Sequence, residues 1–157
     1  MTYRLTGLAM LTLFSCSAAP GVAEAQTAQD MIGSWAWSGT RVDVYGADPQ
    51  GIQIFDSGGR FALITTRANL PRFASNNRLT GTPEENAAIV QGSNAFYGTY
   101  TVKDRVLTHK IEGGTWAAWS GTEQQRQILS FSDGEMKWAI VGTLGGRSEV
   151  TWRRLRR

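Results

Sequence analysis

The chain has 157 residues, a formal net charge of +3 and 41% hydrophobic residues, which is one domain with one core and too apolar to stay disordered. A single cysteine and a single histidine beside six tryptophans exclude a disulfide framework, a cysteine zinc site and any catalytic scheme that needs two imidazoles.

Residues 1–25 have the three parts of a secretory signal: Arg4 near the amino terminus, an apolar run from Leu5 to Phe14 too short to span a bilayer, and small residues ending Ala23-Glu24-Ala25. Cleavage after Ala25 would leave residues 26–157 as the mature domain, periplasmic or secreted. That step removes one base, Arg4, and one acid, Glu24, so the charge stays at +3. Cys16 leaves with the signal, and an oxidising compartment then finds no thiol to pair. Leu13-Phe14-Ser15-Cys16 loosely matches a lipoprotein box, in which Cys16 would carry the lipid, but Phe14 is bulky for that position. Beyond Ala25 no apolar stretch reaches the roughly 18 residues of a membrane helix, so no membrane insertion is expected after signal removal.

From Gly33 onward the pattern is one of short period-two runs separated by turn residues, the signature of strands. Eight are predicted: Gly33 to Val44, Gly51 to Phe55, Arg60 to Thr66, Ala95 to Val102, Arg105 to Glu112, Glu123 to Phe131, Glu135 to Val141 and Arg147 to Leu155. The short turns between them, such as Lys103-Asp104, Asp133-Gly134 and the glycine turn through Gly145-Gly146, make neighbours antiparallel. One helix interrupts the series. Thr82 is its hydroxyl cap, Pro83 lies in its first turn, Glu85 sits three residues after the cap, and Gly92 stops it. Its apolar positions, Ala87, Ala88 and Val90, cannot bury much, which fits a cover on the end of a sheet. Eight strands and one short helix between the third and fourth strands predict an all-β, eight-stranded antiparallel up-and-down barrel, with a two-sheet sandwich as the rival. The final Trp152-Arg153-Arg154-Leu155-Arg156-Arg157 is a small basic patch, better read as a last strand fraying into solvent than as a nucleic-acid site.

Several segments in order resemble the lipocalin-like domain family of bacteria and fungi, a branch of the calycin group of small antiparallel barrels. They are Gly33-Ser34-Trp35, Tyr45-Gly46, Pro49-Gln50-Gly51, Leu70-Pro71-Arg72-Phe73-Ala74, Gly81-Thr82-Pro83-Glu84-Glu85, Tyr97-Gly98-Thr99-Tyr100, His109, Gly121-Thr122 with Arg126, and Trp152-Arg153-Arg154. The link from Glu112 to Gly121, rich in glycine and tryptophan, departs from that pattern. The resemblance implies a ligand-holding barrel without an agreed set of catalytic residues. It also implies a structural role for Trp35, closing the narrow end beneath an arginine of the last strand, either Arg153 or Arg154; a guanidinium on an indole face is worth about 0.5–2 kcal/mol.

His109 shares a strand face with Leu107 and Ile111, opposite Thr108, Lys110 and Glu112, so it should point inward, either as a ligand contact or as a core histidine satisfied by a neighbour. Arg126 shares its face with Gln124 and Ile128, and alternation alone does not decide its direction. Pointing inward, it would need a carboxylate such as Glu85 or an anionic ligand head group. Tyr100 and Trp138 fall on aromatic, soft faces suited either to a pocket or to a dry core. The chain has no G-x-S-x-G elbow, phosphate loop, G-x-G-x-x-G or H-E-x-x-H, and no aspartate cluster with calcium-loop spacing. No cofactor or metal is implied. The expectation is a barrel that binds a small, largely apolar molecule with an acidic or carbonyl end, contacted by Tyr100, His109, Arg126 and Trp138. The alternatives are an isomerase or cyclase with His109 as base and Tyr100 as donor, and a filled barrel acting as a structural or interaction protein of the envelope.

Overall fold

The computed structural model describes residues 27–39, 45–141 and 147–156. The signal segment with Cys16, the distal part of the first predicted strand and the Gly145-Gly146 turn lie outside the described residues.

Eight strands form one closed antiparallel barrel in sequence order: β1 Gly33–Ser38, β2 Gln50–Phe55, β3 Arg60–Thr66, β4 Ser93–Lys103, β5 Val106–Gly114, β6 Glu123–Phe131, β7 Glu135–Val141 and β8 Arg147–Arg154. Closure comes from β1, which pairs with β2 along one edge and with β8 along the other, Trp37 lying opposite Trp152. The sandwich rival is thereby excluded. Period-two alternation drives the burial. In β3, Phe61, Leu63 and Thr65 are buried while Arg60, Ala62 and Ile64 face out. The interior is correspondingly aromatic, with Trp35, Phe55, Phe61, Phe96, Trp138 and Trp152 nearly inaccessible.

Between Tyr97 and Gly98 the β4–β5 register shifts by a bulge. A Cβ on Gly98 would collide with the Lys110 carbonyl oxygen, so glycine alone allows that approach.

A four-residue helix that sequence patterning did not reveal, α1 Ala28–Met31, plugs one end of the barrel. Asp30 caps it by accepting the Thr27 backbone N–H at 2.7 Å, and Met31 is fully buried. Trp35 Nε1 donates to the Met31 carbonyl at 2.8 Å. Of the two arginines offered for the cover on Trp35, Arg154 takes the place: its guanidinium carbon lies 4.1 Å from the indole centroid. Arg154 also donates to the carbonyls of Asp30 and Asp133, each at 2.7 Å, and to that of Ile32. Gly33 makes room for it, with φ +130° and a would-be Cβ 2.8 Å from Arg154 Nη1. Arg153 points the other way, exposed and 3.7 Å from Glu135.

The second helix, α2 Pro83–Gly92, runs directly into β4 at the opposite end. Thr82 accepts from Glu85 N at 3.2 Å while Glu85 accepts from Thr82 N at 2.9 Å, the predicted reciprocal cap. Ala117–Trp119, a single 3-10 turn inside the glycine- and tryptophan-rich link, packs beside it at the same end.

Candidate functional site

At the end away from α1 the barrel interior is hollow. A cavity of about 240 Å3 opens between Tyr45, Asn94 and Trp119 and descends past Trp37 and Trp152 to Leu63, Phe96 and Trp138. A hollow of this size favours the binding and enzyme readings over the filled barrel. Four of the six tryptophans, Trp37, Trp119, Trp138 and Trp152, border it, and successive rings touch: Trp37 and Trp152 centroids are 5.4 Å apart, Trp138 and Trp152 5.6 Å. Such a wall offers flat, polarisable contact to an aromatic or apolar guest.

Among the described residues the charged group in the wall is Arg126, which alternation left undecided and which the structure turns inward at 9% exposure. Its guanidinium reaches Gln124 Oε1 at 2.5 Å and the Gln125 carbonyl at 3.0 Å. Glu85, offered by the sequence as its carboxylate partner, is committed elsewhere: it caps α2 and accepts from Ala74 N at 2.7 Å, and those backbone bonds hold its carboxyl below the usual range. The guanidinium thus stands in the cavity wall, where its positive charge attracts a negative or strongly dipolar group entering the cavity.

His109 is inward and fully buried, as its strand face predicted, but it lies beneath the cavity and does not border it. Its ring stacks on Phe61 with centroids 4.1 Å apart, and its Nε2 is 3.0 Å from Gln53 Nε2. With the amide as donor, the imidazole keeps its proton on Nδ1. Nδ1 and Gln53 Oε1 are buried without hydrogen-bond partners. Burial first, and the charge of Arg126 second, hold the imidazole well below its ordinary pKa, so it is neutral at pH 7. The structure thus places His109 in the core, paired with Gln53, as in the second of the two readings its strand face allowed.

Tyr100 is the cross-strand partner of His109, yet its hydroxyl faces the plugged end, within 3.0 Å of the Ala28 carbonyl and 3.2 Å of the Asp56 carbonyl. It ties α1 to the β2–β3 turn and does not line the cavity. Neither His109 nor Tyr100, the base and donor of the acid–base alternative, is among the residues that border the cavity. Of the four expected contacts, Arg126 and Trp138 border the cavity. The sequence reading passed over Trp37, Trp119, Trp152, Gln124 and Gln53. Alternation carried a signal for Gln53, a polar residue on the Gly51–Phe55 face of β2, and for Trp37, two positions after Trp35. Trp119 owes its place to the 3-10 turn, which periodicity does not report.

A curated relative from Aspergillus oryzae, the 4'-hydroxy-3'-methoxypropiophenone carrier protein ppsC, is 28% identical over 103 residues, covering 58% of this chain and 93% of its own. Among solved structures, a redesigned β-barrel is similar at 17% identity and a TM-score of 0.47, covering 86% of this chain and 100% of its own. A lipocalin-like protein from Bacteroides uniformis is similar at 14% identity and a TM-score of 0.41, covering 80% and 99%. Residues 35–155, nearly the whole barrel, match the lipocalin-like domain, and the chain belongs to that family.

Proposed function

We propose that the protein is an exported carrier for a small, largely apolar aromatic molecule bearing a carbonyl or acidic oxygen. The observation that carries this reading is the cavity itself: a wall of tryptophans with one buried arginine in it, open at one end and sealed at the other. At about 240 Å3 the space is smaller than the roughly 300–1,000 Å3 of drug-sized sites, which favours a single substituted ring over a long acyl chain as the buried part. The similarity to a carrier of a hydroxy-methoxy-propiophenone supports the same class of guest. The rings bury the apolar face of the ligand, and Arg126 and Gln124 meet its oxygen. No bond is made or broken, because uptake and release suffice for carriage.

Titration with 4'-hydroxy-3'-methoxypropiophenone, followed by tryptophan fluorescence, tests the reading. Rings stacked in the cavity should quench much of the emission, since four of the six tryptophans border it. Arg126→Gln should weaken a benzoate carrying the same ring substituents about 10- to 150-fold, the equivalent of a charge-assisted hydrogen bond of about 1.5–3 kcal/mol, and a neutral ligand of the same size far less. Equal loss for the two ligands would assign Arg126 to the fold alone, and absence of binding to any ring compound would refute the carrier.

A further inference from the structure

The cavity mouth borders a second depression. Tyr45, Asn94 and Trp119, which form the rim of the cavity, also form one wall of a second depression of about 390 Å3 on the outside of the barrel end. Its other walls are Ile89 and Val90 of α2 and Trp116 beside the 3-10 turn. The two spaces therefore adjoin, with three side chains common to both walls.

Among the described residues, none that lines this groove is charged, in a chain where 18% of residues are. Its apolar members are unusually open: Val90 is 66% exposed and Trp116 54%. The barrel core does not account for them, because α2 carries no apolar stripe turned inward and only its terminal Gly92 is buried. Large exposed apolar side chains gathered at one place call for an occupant. These described residues offer an acidic or basic partner no countercharge, and the occupant already implied at the rim is the ligand of the cavity.

We propose that the ligand has two parts: a substituted ring held inside the barrel and an uncharged alkyl or acyl extension that leaves between Tyr45 and Trp119 and lies in the groove between Val90 and Trp116. This rests on the carrier reading and extends it, from a ring compound to a ring compound with a chain. The ring supplies orientation through Arg126, and the chain adds affinity in proportion to its buried length. Val90 and Trp116 then determine which chain lengths are preferred.

The test is a series of 4'-hydroxyphenyl alkyl ketones with the chain lengthened stepwise from ethyl to octyl, titrated against the wild-type protein, Trp116→Ser and Val90→Ser. Each methylene laid in the groove should tighten binding about three- to fourfold, with a plateau once the chain passes the exposed end. Both variants should flatten that rise while binding the ethyl ketone as the wild type does, which also shows that they are folded. A wild-type protein that binds the ethyl ketone with no gain on lengthening overturns the two-part ligand and leaves the carrier standing. A gain that persists unchanged in both variants places the chain elsewhere and also overturns it. Failure of every ketone to bind removes the carrier reading together with this one. Binding of the wild type, but not the variants, to phosphatidylcholine vesicles alongside a flat ketone series would identify the groove as a membrane-contact surface instead.

Discussion

Acidification isolates the buried imidazole, because His109 is the chain's one histidine. Its ordinary value is 6.5, and in the folded protein burial and then Arg126 hold it well below that. Above pH 7 the group is neutral in both folded and unfolded chains and contributes no pH dependence. As pH falls through 6.5 the unfolded chain takes up a proton that the folded barrel refuses, so folding stability falls by about 1.4 kcal/mol per pH unit until the folded value is reached. The loss grows for as long as the imidazole of the folded barrel stays neutral. The carboxyls held below their ordinary 4.5, Glu85 and Glu149, weaken the fold only at lower pH, which leaves this window to the histidine. Urea unfolding at half-unit steps from pH 7.5 to 5 measures it. The wild type should lose stability over that range, and His109→Gln, whatever its stability at pH 7, should show a nearly flat profile. Parallel profiles for the two proteins would refute the neutral, sealed imidazole.

Arg154→Ala should cost about 2–4 kcal/mol in urea unfolding, because it strips three backbone carbonyls of their donor and uncovers Trp35, while ligand affinity at the far end of the barrel stays unchanged. A stability change below about 0.5 kcal/mol would mean that the plugged end does not depend on it. Intact mass of the protein recovered from an exporting host should correspond to a start at Gln26. A lipidated start at Cys16 would make it an anchored lipoprotein, and an uncleaved chain would remove the export reading.

Strand number, order and most boundaries were legible from alternation between turns: β3, β6 and β7 begin and end where the pattern does, although a register shift after Ile128 interrupts β6. The α2 helix was legible from its cap chemistry alone, since Thr82, Pro83 and Glu85 encode a start independently of what the helix packs on. The plug α1 was not, because four residues are too few to show a period. The site was legible by half. Alternation brought His109 and Trp138 inside, but depth along the barrel axis, which separates the packed layer of His109 and Tyr100 from the hollow layer of Trp37 and Trp152, depends on strand register and stagger. Arg126 and its neighbour Gln127 are both polar, and only the register with β5, Leu107 against Arg126, fixes which one enters.

Residue 27, just ahead of the plug, and Arg154, at the close of β8, lie on the same rim, which is the one opposite the ligand mouth. The barrel is therefore polar in the sense of a cup, with Thr27 and Arg154 both at its base. An affinity tag, a fusion partner or a surface-coupling linker placed at either position leaves the opening unobstructed, and an immobilised protein would present that opening to solution.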